Sequence, residues 1–186
     1  SIGKPVDLLA LIDPARDALS GKWVREGTAL RCLGDLEYNK LAIPIDPPDE
    51  YKLTVRVART EGGQKNNESL FVRLPIGPYK ANIAIDGYGS TASGIHIDQT
   101  IYRDNSFAYR GPPVIPAGAT REIVIIQRKD GLNVSSERTS IIDWKGHPRR
   151  YSFDTAWVIP GNRLALTSWF QGFRDRKSTR LNSSHI

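Results

Sequence analysis

Four aromatic residues stand out beside polar ones: Tyr88, Tyr102 and Tyr109 lie near Asp86, Arg103 and Asn105 in the chain, and Trp157 follows further on. These types suit a ring-shaped ligand rich in hydroxyl groups. An aromatic ring offers a flat apolar face on which the C–H face of a sugar can stack. Carboxylate, amide and guanidinium groups supply the acceptors and donors that hydroxyls need. The stretch "DGYGSTASG" carries Asp86 and Tyr88, and its glycines allow positive φ and close approach of another chain or a ligand. Each residue also has a plain structural role: the same glycines make a hairpin and the same aromatics fill a core.

Other chemistries find less support. Hydrolysis of a glycosidic bond needs two carboxylates flanking it, and on a strand they share a face only at i, i+2 or i+4. Asp46, Asp49 and Glu50 are interrupted by Pro47 and Pro48 and read as a turn. Asp143 beside Trp144 has the types of a sugar site, but an acidic residue ending a strand is ordinarily a cap or turn partner. Calcium needs several oxygen ligands. Asp86, Asp98 and Asp104 fall near predicted strand ends but lack EF-hand spacing, so surface turns are preferred and calcium stays a secondary cofactor alternative. Cys32 is the only cysteine, which excludes an internal disulfide and a cysteine zinc cluster, and reads as a small buried hydrophobe. "DGYG" lacks the following helix and Lys-Ser/Thr of a phosphate loop.

The net charge of +6 is dispersed. In "KLTVRVART" and "GHPRR" cations alternate with apolar residues or sit in turns, the pattern of a solvated strand face, so no nucleic-acid partner is expected. No apolar run is long enough for a membrane-spanning helix, so no membrane insertion is expected.

The elements that would position these residues are mostly strands. One short helix is predicted from Pro14, with Asp13 as N-cap and Gly21 as its stop. Trp23 begins the first core strand. "YKLTVRVA" then places Tyr51, Leu53, Val55 and Val57 on one face. Ile83 and Ile85, then Ile95 and Ile97, repeat the alternation, which turns His96 to the opposite face. Ile123 to Ile126 run into Asp130-Gly131 and a second strand, a hairpin signal. "TSIIDW" and "RLALTSW" add strands, with Trp144 burying its ring at a strand end and keeping its N–H wet. "IDPPDE", "RLPIGP" and "RGPPVIPAG" punctuate them, so an all-β antiparallel sandwich in one domain is expected. His147, in "KGHPRR", reads as a turn residue.

The closing "DRKSTRLNSSHI" has neither period nor caps. Asp175 to His185 resembles the reading-frame translation of a short-read sequencing adapter. Residues 175–186 are therefore expected to be an unstructured artefact, leaving residues 1–174 as a domain cut before its last strand. The chain opens on Ser1 and has no Met, so its start is expected to be missing too, and no localisation is read.

"VDLLALIDPARDALSGKWVREGTAL", "LAIPIDPPDEYKLTVRVART", "IDGYGSTASGIHI", "IVIIQRKDGLNVSS", "IIDWKGHPRR" and "RLALTSW", in that order, resemble a bacterial concanavalin A-like module. The group is related to laminin-G-like domains and to the 3-keto-disaccharide hydrolase (domain of unknown function) group. The similarity runs from Pro5 to Arg174. It implies a jelly-roll sandwich of two antiparallel sheets, often appended to other domains in environmental bacteria. The compact Glu-x-Asp-x-x-Glu run of laminarinase-type enzymes in this superfamily is absent. The expected function is a non-catalytic carbohydrate-binding or interaction module of a larger bacterial protein, its partners carbohydrate and the other domains of the parent chain. A glycosidase-like hydrolase of the 3-keto-disaccharide group and a purely structural packing domain stay open as alternatives.

Overall fold

Alternating burial along successive strands builds two antiparallel sheets around one apolar core. The computed structural model describes residues 4–60, 69–152, 158–169, 173–175 and 180–182. Its strands are β1 (Val6–Asp7), β2 (Ala18–Ser20), β3 (Trp23–Glu26), β4 (Ala29–Cys32), β5 (Asn39–Ala42), β6 (Tyr51–Arg59), β7 (Leu70–Ile76) and β8 (Tyr79–Asp86). They continue as β9 (Ala92–Ile95), β10 (Thr120–Arg128), β11 (Gly131–Ser136), β12 (Thr139–Lys145), β13 (Ala165–Ser168), β14 (Phe173–Asp175) and β15 (Arg180–Asn182). Two single-turn helices, α1 (Leu8–Leu11) and α2 (Pro14–Asp17), separate β1 from β2.

The nine-stranded sheet runs β12-β11-β10-β6-β14-β4-β3, with β15 pairing both β6 and β1. The six-stranded sheet runs β2-β5-β13-β7-β8-β9. Tyr51, Leu53, Val55 and Val57 of β6, with Ile123 and Ile125 of β10, meet Leu70, Val72 and Leu74 of β7 and Ile83 and Ile85 of β8 across the core. Burying each such side chain contributes about 1.5–3 kcal/mol. Trp23 opens the first long hairpin and is buried, and Cys32 lies in the same core. The fold is the expected jelly-roll sandwich.

Several local expectations are corrected. The helix capped by Asp13 ends at Asp17, not at Gly21, because Ala18–Ser20 pairs with β5. A second capped turn precedes it, with Asp7 accepting from the Leu9 N–H. The β10–β11 turn is Lys129-Asp130, since Arg128 pairs with Gly131. Gly131 answers a packing need instead: a Cβ there would lie 2.6 Å from the Trp144 carbonyl oxygen. Pro75 lies inside β7, beyond the part of that strand that pairs with β13, where its missing N–H costs no ladder bond on that side. The Trp144 N–H is not wet but buried with no acceptor. Asp143, its neighbour, is exposed and accepts from Asn133, so the two do not share a face. Asp175 and Arg180–Asn182, expected in an unstructured tail, sit in strands. β14 fills the gap between β4 and β6, and β15 pairs with β6 further along, so the edge of β6 opposite β10 is covered.

Candidate functional site

Strands β13, β7 and β9 are buried on both faces, and the outer face of the six-stranded sheet carries the polar residues. Along β7, Leu70, Val72 and Leu74 enter the core, so Phe71 and Arg73 point the other way. Along β8, Asn82, Ala84 and Asp86 do the same between Ala81, Ile83 and Ile85. Strand register arranges them in two rows. One row reads Lys40, Thr167, Phe71, Ala84, Gly94 across five strands. The other reads Ala42, Ala165, Arg73, Asn82. His96 extends it, because its backbone N–H and its Nδ1 lie 3.2 and 3.3 Å from the Asn82 carbonyl oxygen. The rows are two residues apart, about 7 Å along the strand.

The segment after β9 folds over this face and brings Tyr102 onto it. The Tyr102 ring meets the rings of Phe71 and His96 edge-on at 5.9 and 5.4 Å. Its hydroxyl lies 3.5 Å from the Ser69 Oγ, and burial pushes its pKa up to about 12. Two glycines make room for it. A Cβ on Gly87 would sit 1.7 Å from the Tyr102 hydroxyl, and one on Gly94 would sit 2.9 Å from the Tyr102 carbonyl oxygen. The turn after β8 is left-handed, with φ of 58° at Asp86, 52° at Tyr88 and 62° at Ser90. Asp98 and Gln99 are left-handed as well, so five of the seven positive-φ non-glycine positions among the described residues edge this face. Such strained backbone clusters at ligand sites. Tyr88, 37% exposed, stands 5.7 Å from Tyr102 with the Arg103 guanidinium 4.1 Å from its ring centre.

Tyr38, Phe71, Tyr88, His96, Ile101, Tyr102 and Trp169 line a cavity of about 200 Å³. The Trp169 indole N–H donates to Glu37 at 3.3 Å. Further along the same strands a second cavity, about 210 Å³, is bounded by Arg73, Lys80, Asn82, Val158, Ile159 and Gly161. Phe71 and Arg73, alternate residues of β7, make the two neighbours.

The structure gathers Tyr88, Tyr102 and Arg103 at the first cavity and places the other candidates apart from it. Asp86 is buried, with Oδ1 taking the Val114 N–H and Oδ2 taking the Ile115 N–H and Arg59, so it fastens a loop. Asn105 donates to the Ile95 carbonyl oxygen at 2.7 Å and accepts from the Phe107 N–H, bracing its own turn. Tyr109 packs on the main core and donates to the Pro112 carbonyl oxygen. Trp157 lies outside the described residues. Asp86, Asp98 and Asp104 do not converge as a calcium site: Asp98 pairs with Arg150 and Asp104 with Arg103. Among the described residues no cluster of three metal-ligating side chains exists. Asp49 lies 4.0 Å from Lys129, and Glu50 accepts from the Lys129 N–H, as turn residues do. His147 caps the turn at Pro148–Arg150. His96 faces away from Ile95 and Ile97 as its alternation predicts, but onto an aromatic cluster that buries it.

Sequence reasoning passed over Phe71, Arg73, Asn82 and Trp169. β7 is buried throughout, so it shows no alternation to reveal two faces. The remaining signal was Arg73 inside the apolar run "LFVRLPI".

No protein-family model and no curated protein matches the sequence. Solved structures do match. The carbohydrate-binding module CBM66 from Bacillus subtilis is 10% identical, with a TM-score of 0.57 over 88% of this chain and 92% of that one. The exoplasmic/lumenal domain of VIP36, in a Ca2+/Man3GlcNAc-bound form, is 10% identical, with a TM-score of 0.61 over 100% and 92%. The fold is concanavalin A-like. Crh5 transglycosylase in complex with NAG, 11% identical, matches with a TM-score of 0.62 over 98% of this chain and 86% of that one. A binding module and an enzyme share this fold, so the side chains of the site have to decide between the two roles.

Proposed function

We propose that the chain binds carbohydrate without hydrolysing it, through the outer face of its six-stranded sheet, as a module of a larger protein. The observation that carries this reading is the first cavity, lined by Tyr88, Tyr102, Phe71, His96 and Trp169 beside a polar row. Aromatic walls accept the C–H faces of a sugar ring, and the polar row meets its hydroxyls. The described residues lining both cavities include no carboxylate, whereas glycoside hydrolysis needs two. The fold neighbours named above agree with a sugar as the ligand.

A glycan array probed with the whole chain tests this. Reproducible binding is expected, reduced at least about tenfold by Trp169→Ala or Tyr88→Ala in proteins that keep their melting curves. A folded protein silent on every glycan would favour a packing domain. Cleavage of a bound glycan would favour a hydrolase of the 3-keto-disaccharide type.

A further inference from the structure

The second cavity is rich in donors and poor in acceptors. Arg73 is 8% exposed, and its guanidinium donates to the carbonyl oxygens of Ile159 and Gly161, which occupies those two acceptors. Asn82 is 5% exposed, and its buried amide nitrogen has no hydrogen-bond partner. An orphaned buried donor is costly unless something supplies an acceptor. Lys80 stands on the same wall. Lys40, from the neighbouring row, donates to the Val158 carbonyl oxygen. None of the ion pairs among the described residues involves Lys40, Arg73 or Lys80. Three cations therefore share one face, and among the described residues no carboxylate pairs with them. Burial also lowers the pKa of Arg73 and of Lys40, because leaving water disfavours their charged forms.

A hydroxyl group can accept from these donors, but it brings a donor of its own and no charge. A carboxylate or a sulfate ester only accepts. We infer that the second cavity, bounded by Arg73, Lys80 and Asn82 with Lys40 beside it, is an anion subsite that selects sugars carrying a carboxylate or sulfate. The inference rests on the carbohydrate reading of the adjoining aromatic cavity. The separation of Phe71 and Arg73, about 7 Å, suits one ring held against the aromatics while the charged group enters the second cavity. The chain's net charge of +6 favours approach of such a polyanion.

Calorimetric titration of the whole chain with oligogalacturonate, its fully methyl-esterified form, a sulfated galactan oligosaccharide and the desulfated galactan tests the subsite. Sodium sulfate forms the free-anion arm. The expected result is at least about tenfold tighter binding of a charged oligosaccharide than of its neutral counterpart, as loss of a charge-assisted hydrogen bond implies. Lys80→Gln should narrow that gap by weakening the charged form more than the neutral one. Asn82→Asp, which puts a negative charge in the cavity, should abolish the preference. Lys80 is partly exposed, so its variant keeps the test readable if Asn82→Asp does not fold. Equal affinity for charged and neutral forms would overturn the subsite and leave the sugar reading intact. So would a response to sulfate as strong as to the oligosaccharides. Failure of every oligosaccharide here, together with a silent glycan array, would overturn both.

Discussion

Individual side chains divide into those that hold the face together and those that line it. Asp86 belongs to the first group. Asp86→Ala would take the acceptor from two buried backbone N–H groups and one ion-pair partner from Arg59, costing about 3 kcal/mol or more. Chemical denaturation checks this, and binding per folded molecule should hardly change. Tyr102 belongs to both groups. Its pKa, pushed up to about 12 by burial, means the fold favours the neutral phenol. That contribution is complete below the ordinary tyrosine value of about 10 and is lost as pH rises through the folded value. A tyrosinate absorbance titration should therefore show a late step near pH 12 that shrinks in Tyr102→Phe. A remainder should persist from Tyr151, raised to about 12 by the same cause. Tyr88, Tyr102 and Arg103 could be singled out in the sequence because glycines and aromatics crowd that loop. Asp86 was misjudged, because a carboxylate that fastens a loop and one that binds a ligand look the same in sequence.

At the scale of elements, strand alternation was legible wherever one face met the core and the other met solvent, as in β6. Turns were harder to place. The β11–β12 turn uses Glu137 and Arg138 at φ of 46° and 71°, where Asn-Gly is the usual pair. Nothing in "SSERTS" announces it. Replacing the pair (Glu137→Asn with Arg138→Gly) should relieve left-handed strain and raise stability by about 1 kcal/mol, read as a higher melting temperature. The glycines of "DGYGSTASG" were expected to permit close approach, and Gly87 and Gly94 do seat Tyr102. Gly94→Ala should push the Tyr102 backbone off the sheet, cost about 1–3 kcal/mol and weaken glycan binding together with stability. Parallel melting and binding measurements check the pair of effects.

For the molecule as a whole, strand pattern and family resemblance sufficed to name the jelly roll, but not to find its working face. That face is made by residues distant in sequence, Lys40 to Trp169, aligned by strand register and by the loop that carries Tyr102. Pairing also makes the nine-stranded sheet depend on its last strands. A chain ending at residue 172 would lose β14 and β15, leaving one edge each of β4 and β6 unpaired. Such a chain should lose cooperative unfolding by circular dichroism. The central claim concerns the place where sugar binds. Amide chemical-shift mapping by NMR, with the best array ligand titrated into the whole chain, tests it most directly. The account predicts shifts grouped at Phe71, Arg73, Asn82, His96 and Tyr102, with Ile125 and Val134 of the nine-stranded sheet unmoved. Shifts centred on the nine-stranded sheet, with the six-stranded face silent, would contradict it.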